Sequence, residues 1–194
     1  GWIYTDGGNA DLTGIFRAGR QQAFPQVVIQ LRGSAPALQI AASVETNVTS
    51  PTTQVDVNGP TLTADTWTHV AMVVDRTPGS QELRLHVNGG APITAVANLW
   101  DTNPISWTTD ATFLGAARND VGAVTGPFDG RLDEFRIWSV ARTQAEIAAD
   151  MNREIFAAPN LVHRWGMNEA AGATTADSAG IATGTLETDT APAP

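Results

Sequence analysis

Hydrophobic and polar residues alternate with a period of two over much of this chain, and this alternation limits its fold more than any other feature. The segment "LQIAASV" places Leu38, Ile40, Ala42 and Val44 on one side and polar residues on the other, as in a strand with one buried face. Further strand patterns are "QVVIQL", "WTHVAMVVD", "ELRLHVNGG", "ATFLGAA", "RLDEFRIW" and "LVHRWGM". Short strands in this number predict an all-β fold, an antiparallel β-sandwich or jelly roll.

Turn and helix signals agree with this fold class. Asn88 and Gly89 supply the positive-φ residues of a tight turn after "ELRLHV". One short helix is predicted, because Thr143 and Glu146 have the spacing of a capping box and Ile147 follows at helical spacing. No alternation of strands and helices of the βαβ kind is present in the sequence.

Charge and cysteine content exclude several classes of function. The net charge of −9 argues against nucleic-acid binding, because that affinity comes mainly from Lys and Arg neutralising phosphates. Cysteine is absent, which excludes disulfides and thiolate metal sites. No stretch is long and apolar enough for membrane insertion. The chain starts "GWIYTDGG" without a signal peptide and ends in the linker-like "TDTAPAP", so we expect a module of a larger chain with neighbouring domains.

Three segments carry a resemblance to a known family. They are "WTHVAMVVD...ELRLHVNG", "FDGRLDEFRIWSVARTQAEI" and "LVHRWGMNEAAGATTADSAG". In order and spacing they resemble the concanavalin A-like jelly roll of laminin G-like domains, a fold shared by lectins and glucanases and related to the pentraxins. The resemblance spans residues 60–187 and is looser over residues 1–59. It implies an antiparallel β-sandwich.

The position of the last segment leaves two arrangements open. In the family the Leu-Val-x-x-Trp segment usually begins a domain, whereas here it follows the predicted helix. The strand within residues 160–187 could close the same sandwich in a permuted order, or it could begin a truncated next domain. Leu161 and Trp165 need apolar cover, which favours closure. We therefore expect one laminin G-like domain over residues 1–187, followed by a linker-like tail at 188–194.

Asp133 and Glu134 are the carboxylate pair that decides between an enzyme and a binding module. Retaining glucanases of this fold place two carboxyl groups about 5 Å apart on one face of a strand. A continuous strand here would put Glu134 beside Arg136, and Asp133 on the opposite side with Phe135. We therefore predict an ion pair between Glu134 and Arg136, a structural role for both carboxylates, and no catalysis.

Histidines and nucleophile motifs give no catalytic or metal site in the sequence. The three histidines, at positions 69, 86 and 163, are scattered without metal-binding spacing. His69 belongs to the strand motif, and core packing is its expected role. Neither a Gly-x-Ser-x-Gly elbow nor a phosphate-binding loop is present.

Calcium is the cofactor that the loops could hold, because it binds the carboxylate and amide oxygens that jelly-roll loops supply. The resemblance points to Asp177 in "DSAG", although Ile181, Ala182 and Thr183 replace oxygen-bearing residues that often follow in the family. Two further loops are candidates on their chemistry, and the second lies where the related pentraxins carry calcium ligands. The loop residues are Asp6, Asn9 and Asp11 in "DGGNAD", and Asn119 and Asp120 in "RNDVG". The alternative for both loops is a turn in which Asn and Asp bind the backbone.

The loop "ANLWDTNPISW" is the candidate sugar-binding site. Trp100 stands among Asn98, Asp101 and Asn103, a setting too polar for a core strand. An indole can stack on the apolar face of a sugar while amides and carboxylates bind its hydroxyl groups. The alternative is that Trp100 anchors the loop. The tryptophans expected in the core are Trp67, Trp107, Trp138 and Trp165.

These observations favour a non-catalytic recognition or adhesion module, secreted or displayed at a cell surface. Its expected partner is a glycan or a cell-surface protein, bound through loops at one rim with or without calcium. A structural or assembly module without a small ligand is the first alternative. A glycoside hydrolase is the weaker one, because the second carboxylate is missing.

Overall fold

The computed structural model describes residues 1–18, 26–45, 54–77, 79–96, 112–118, 124–169 and 171–185. In chain order the elements are β1 (Trp2–Thr5), β2 (Gly14–Ala18), β3 (Gln26–Arg32), β4 (Gln39–Glu45), β5 (Gln54–Thr61), β6 (Thr66–Asp75), β7 (Glu82–Val87), β8 (Ile93–Val96), β9 (Thr112–Leu114), β10 (Ala117–Arg118), β11 (Val124–Thr125), β12 (Gly130–Asp133), β13 (Phe135–Trp138), α1 (Gln144–Asp150), β14 (Leu161–Trp165), β15 (Thr174–Thr175) and β16 (Gly184–Thr185). None of the described helical residues form a segment long and apolar enough to cross a membrane.

Two five-stranded antiparallel sheets form the body of the fold. The first sheet has the order β12-β1-β6-β7-β8 and the second has the order β5-β4-β3-β2-β9. Buried residues from both sheets join in one hydrophobic cluster, so the sheets are the two layers of a sandwich. The predicted antiparallel β-sandwich with one short helix is confirmed.

Alternation along the strands decides which side chains enter the core. Ile40 and Val44 of β4 point inward and are fully buried, as "LQIAASV" predicts. Leu83 and Leu85 of β7 enter from the other sheet and are equally buried, as "ELRLHV" predicts. Burying an aliphatic side chain of this size stabilises the fold by roughly 1.5–3 kcal/mol.

Glu134 interrupts the predicted continuous strand. Its φ of 52° lies in the left-handed region, and it separates β12, which pairs with β1, from β13, which pairs with β14. Leu132 packs against the core and Asp133 lies opposite Trp2 on the other side, yet Phe135 is again in the core. The prediction that Asp133 and Phe135 share a face is therefore wrong, because one left-handed residue resets the alternation.

The helix α1 packs on the side of the first sheet that faces away from the core. The predicted capping box is present, with Thr143 as N-cap and Glu146 bonding back to it. Trp2 Nε1 donates to Met151 O over 2.9 Å, which fixes the end of the helix against β1. At the turn after β7, Gly89 has a φ of 67°, and a Cβ there would lie 3.1 Å from Ala148. The helix can therefore lie this close to the turn after β7 because residue 89 has no side chain.

The C-terminal strand β14 lies antiparallel to β13, with Phe135 opposite Trp165. Trp165 is 7 % exposed and belongs to the same hydrophobic cluster as the two sheets. Its indole Nε1 donates to Ala182 O over 2.8 Å, which fixes the chain that follows. This strand therefore supplies apolar cover to the sandwich core.

Candidate functional site

The second sheet carries a set of polar side chains on the side that faces away from the core, which we call the polar face. Residues directly opposite in register lie on the same side of a sheet. Arg17, Ser43 and Asp56 fall in one such row across β2, β4 and β5, with Val28 of β3 between Arg17 and Ser43. The polar members of the face are Arg17, Gln26, Gln30, Arg32, Gln39, Ser43, Glu45, Gln54, Asp56 and Asn58.

One end of the polar face is buried and internally hydrogen-bonded. Arg17 Nη1 donates to Gln26 Oε1, and Gln26 Nε2 donates to Glu45 Oε2, so a chain of side chains crosses three strands. Arg17 and Gln26 are both less than a tenth exposed, and Arg17 Nε is buried without a hydrogen-bond partner among the described residues. Burial lowers the pKa of Arg17, an effect that the nearby Glu45 carboxylate opposes. A buried donor without a partner is costly for the fold, roughly 1–3 kcal/mol.

The other end of the polar face is open to solvent. Arg32 Nη2 lies 3.2 Å from Asp56 Oδ1, and both side chains are about a third exposed, at 31 % and 34 %. Gln54 Nε2 donates to both oxygens of the same carboxylate, over 2.9 and 3.0 Å. Gln39 and Asn58 are exposed beside them. The face thus runs from an exposed end to a buried end, and the apolar residues Val28 and Ala41 lie between its polar members. The amide, guanidinium and carboxylate groups at both ends suit a ligand rich in hydroxyl groups.

The predicted sugar-binding loop and one predicted calcium loop lie outside the described residues. They comprise Asn98, Trp100, Asp101, Asn103, Asn119 and Asp120, and the same holds for Trp107. Their roles stay predictions.

The three residues of the predicted loop "DGGNAD" each bind a different part of the backbone. Asn9 is buried, donates to Thr5 Oγ1 and Asp129 O over 2.7 and 2.6 Å, and accepts from Asp129 N over 2.7 Å. Asp6 Oδ1 accepts from Gly8 N over 3.4 Å, and Asp11 Oδ1 accepts from Gly33 N over 2.9 Å. Asn9 therefore acts as a clamp between two loops and has its amide fully used.

Asp177, the carboxylate to which the family resemblance points, is saturated with protein donors. Its Oδ1 accepts from the backbone N–H groups of Arg164, Ala179 and Gly180, and its Oδ2 accepts from Ala182 N and lies 2.6 Å from His163 Nδ1. Burial would raise the pKa of this carboxyl, but these donors hold it well below its usual range. In the described part of the chain, no three His, Asp or Glu side chains are grouped to hold a metal ion. Calcium binding stays a prediction.

Two of the predicted core residues behave differently from one another. Trp165 is buried, as predicted, whereas Trp67 is 39 % exposed on the outer side of the first sheet. The prediction for Trp67 is wrong because it stands directly opposite Tyr4 in register, and Tyr4 alternates with the core residue Ile3. Trp138 is half-buried, with the guanidinium of Arg142 4.0 Å from its ring centre.

His69 is buried, but its ring lies on the outer side of the first sheet, where it meets the Trp2 ring edge-on at 5.3 Å. Its Nδ1 has no hydrogen-bond partner, and burial lowers its pKa to about 3. A ring that stays neutral down to this pH packs as an apolar group. His69 is therefore a packing residue, but it packs on the outer side of the first sheet and not in the core as predicted.

The carboxylates of Asp133 and Glu134 lie in different environments and have different partners. Glu134 is 8 % exposed, and Oε2 accepts from Arg136 Nη2 over 2.9 Å, which is the predicted ion pair. Arg164 of β14 donates to both of its oxygens. Burial and the neighbouring Glu134 raise the pKa of Asp133. With Glu134 fully engaged by arginines, the pair has the geometry of a structural network rather than of an acid and a nucleophile.

Sequence reasoning missed the polar face, although its signal is present. In "QVVIQLR" the polar residues fall at positions 26, 30 and 32, and in "QVDVN" they fall at positions 54, 56 and 58. Both sets have even spacing, so each set lies on one side of its strand. The pairing of β3 with β4 and of β4 with β5 brings the two sets to the same side, and this pairing is what the sequence alone did not supply.

Comparisons with known proteins agree with this architecture. Residues 1–148 match a laminin G family model described as the concanavalin A-like lectin/glucanases superfamily. A solved structure of a candidate carbohydrate-binding protein from Bacteroides ovatus ATCC 8483 superposes with a TM-score of 0.65 at 21 % sequence identity. The match covers 96 % of this chain and 52 % of that protein, so the chain spans about half of its length. A search of curated protein sequences finds no match.

Proposed function

The chain belongs to the concanavalin A-like lectin/glucanases superfamily, and we propose that it is a non-catalytic module that binds glycans through its polar face. The observation that carries this proposal is the grid of amide, guanidinium and carboxylate groups on four neighbouring strands of the second sheet. The candidate carbohydrate-binding protein from B. ovatus shares the fold and supports the ligand class.

The chemistry of the polar face fits a chain of sugar hydroxyl groups. Each hydroxyl both donates and accepts, and paired amides and charged groups match that double role. At the open end, Asp56 and Asn58 would make the first contacts, because both are exposed. At the buried end, Glu45 is half-buried and oriented by the Arg17–Gln26 pair, and it would accept from a sugar hydroxyl group.

A glycan array followed by calorimetry tests the proposal. The chain is screened against neutral and acidic oligosaccharides, and the best ligand is titrated into wild type, Asp56→Ala and Asn58→Ala. We expect each substitution to weaken binding about tenfold while leaving the fold intact, because both side chains are exposed. Glu154→Ala, which removes an exposed carboxylate next to the end of α1, is the matched control and should bind as wild type does.

Two results would overturn this assignment. Absence of binding to every array glycan would remove glycan recognition, and unchanged affinity in both polar-face variants would move the site elsewhere. Release of reducing ends from a bound glycan by the wild-type chain would contradict the non-catalytic part. The titrations are run with excess calcium and with a chelator, and a chelator-sensitive affinity would support the calcium prediction. An extracellular setting and a role in adhesion are further parts of the proposal.

A further inference from the structure

A second polar and aromatic surface lies on the opposite side of the sandwich, on the first sheet. Arg131 of β12, Tyr4 of β1 and Trp67 of β6 stand directly opposite one another in register. Their side chains therefore cross three neighbouring strands on the side that faces away from the core. We call these three residues the aromatic row.

The contacts within the aromatic row hold its middle member in place. The Arg131 guanidinium lies 5.1 Å from the centre of the Tyr4 ring, within the range of a cation–π contact. The rings of Tyr4 and Trp67 are 5.5 Å apart and tilted by 57°. Tyr4 OH donates to Asp65 Oδ1 over 3.2 Å, which fixes the ring further. Trp67 is the ring left available to a ligand, since it is 39 % exposed.

The helix α1 explains why the aromatic row is open while the next row along the same strands is covered. The next row along the strands contains Trp2 and His69, and Met151 at the end of α1 accepts the hydrogen bond from Trp2. His69 is consequently buried, while Trp67, two residues earlier on β6, is not. The exposed part of the Trp67 indole is therefore a surface that α1 does not cover, unlike the surface at His69.

The charges around the aromatic row favour a neutral ligand. Arg131 is the cation of the row, and Asp65 faces it across Tyr4. At the same end of β1, a Cβ on Gly8 would lie 2.6 Å from Asp129 Oδ2 and 3.7 Å from Asp6 Oδ1, so two further carboxylates converge there. Asp65 at the row and two carboxylates beside Gly8, on a chain with a net charge of −9, disfavour an anionic ligand.

We propose that the aromatic row is a second glycan-binding site, which takes a neutral pyranose unit. The apolar side of the sugar stacks on Trp67, and its hydroxyl groups accept from Arg131 and donate to Asp65. The row and the polar face lie on opposite sides of two stacked sheets, about 10 Å apart from layer to layer, so one sugar unit cannot contact both. The module is thereby bivalent. The second site rests on the same ligand class as the proposed function but on different residues, so an experiment can overturn either one without the other.

Indole N–H signals in two-dimensional NMR of ¹⁵N-labelled chain test the proposal. The Trp67 signal is identified by its loss in Trp67→Phe, and cello-, xylo- and manno-oligosaccharides are titrated alongside oligogalacturonate, which is acidic. We expect a neutral oligosaccharide to move the Trp67 signal and oligogalacturonate to leave it in place. Trp67→Ala removes this signal, so its effect is measured by calorimetry in a chain that also carries Asp56→Ala/Asn58→Ala. It should lower the affinity that remains there about tenfold, the loss expected for one aromatic contact.

The polar-face double variant Asp56→Ala/Asn58→Ala is the matched control. The Trp67 signal should move in this variant as it does in wild type, even where calorimetry shows that the variant has lost binding at the polar face. If no neutral oligosaccharide in the panel moves the Trp67 signal, the second site is overturned. If the movement disappears in the double variant, a single site explains both readouts and the inference is again overturned. Equal movement with oligogalacturonate overturns the preference for a neutral ligand.

Discussion

Arg164 Nε donates to Glu134 Oε2 over 3.0 Å, joining two buried side chains that lie 30 residues apart in the sequence. Glu134 is the left-handed residue at which the chain passes from β12 to β13, and Arg164 belongs to β14. The same guanidinium donates from Nη1 to Ser178 Oγ over 3.1 Å and lies 4.3 Å from the centre of the Phe156 ring. The pair therefore fixes the C-terminal strand to the point where the chain leaves the first sheet.

Replacing Arg164 with Met should destabilise the chain strongly. The substitution leaves the buried Glu134 carboxylate with Arg136 alone, and breaking one partner out of a buried ion pair typically costs about 3–5 kcal/mol. Urea unfolding monitored by tryptophan fluorescence measures this loss. Arg153→Ala is the control, because the Arg153 side chain is 67 % exposed and its ion pair with Asp150 should contribute less than about 1 kcal/mol. A loss for Arg164→Met as small as that of the control would contradict the structural role of the pair.

Stability should fall as the pH drops from 6.5 toward 3, because of His69. Burial lowers the pKa of His69 from 6.5 to about 3. Between these values the unfolded chain binds a proton that the folded chain does not, so the free energy of unfolding decreases by up to about 5 kcal/mol as the pH falls through this window. Urea titrations at a series of pH values should show a shallower slope in His69→Gln than in wild type. Equal slopes in the two proteins would show that His69 does not titrate as its burial requires.

Acidic groups should add to the loss of stability in the lower part of this window and continue it to lower pH. Arginine donors lower the pKa of Glu134 against the raising effect of burial, and the N–H donors around Asp177 hold its pKa low as well. A lowered pKa in the folded chain contributes stability that is present above the unfolded value and is lost as the pH falls toward the folded value. His69→Gln should therefore keep the part of the slope that lies below about pH 4.

Gly130 should not tolerate a side chain. A Cβ at this position would lie 2.1 Å from Tyr4 O, and the φ of 151° is also unfavourable for other residues. Gly130→Ala should force β12 away from β1, lower the thermal unfolding midpoint and disturb the Tyr4–Arg131 contact of the aromatic row. Gly79→Ala is the matched control, because Gly79 also has a positive φ, of 91°, but has nothing within 4 Å of the added Cβ. Calorimetric unfolding should separate the two variants, and equal midpoints would rule out the clash as the cause.

Local patterns predict those parts of the fold that depend on neighbours along the chain. Period-two alternation places Ile40, Val44, Leu83 and Leu85 correctly, and the Thr143 capping box locates the helix. Each of these depends on residues within one element. The ion pair between Glu134 and Arg136 is likewise a two-residue relationship on one segment, and it is present.

The parts that the sequence did not predict depend on pairing between distant segments. Trp67 looks like a core residue until β1 places Tyr4 opposite it, on the outer side of the sheet. The sequence also gives no sign that Glu134 takes a left-handed conformation, because its partner Arg164 arrives from a strand 30 residues later. The polar face could not be predicted for the same reason, since its members come from strands whose pairing register the sequence does not give.

Replacing the buried polar side chains of the polar face should preserve or raise the stability of the chain and lower its affinity for glycan. Arg17 and Gln26 are both buried, and in the described part of the chain Arg17 Nε has no hydrogen-bond partner. Replacing buried polar groups by apolar groups of similar volume is often neutral or stabilising by about 1–4 kcal/mol. The double variant Arg17→Met/Gln26→Leu should therefore unfold at equal or higher urea concentration, while its affinity for the array-selected glycan falls about tenfold or more. The double substitution is needed because Arg17→Met alone would leave Gln26 Oε1 without its donor. Glu45 loses the Gln26 Nε2 donor in the double variant, but it is only half-buried, so water replaces that donor. Urea unfolding and calorimetric titration of the same preparations measure both quantities. A variant that loses stability and keeps its affinity would show that these side chains hold the sheet together, and the glycan site would then be confined to the exposed end around Asp56.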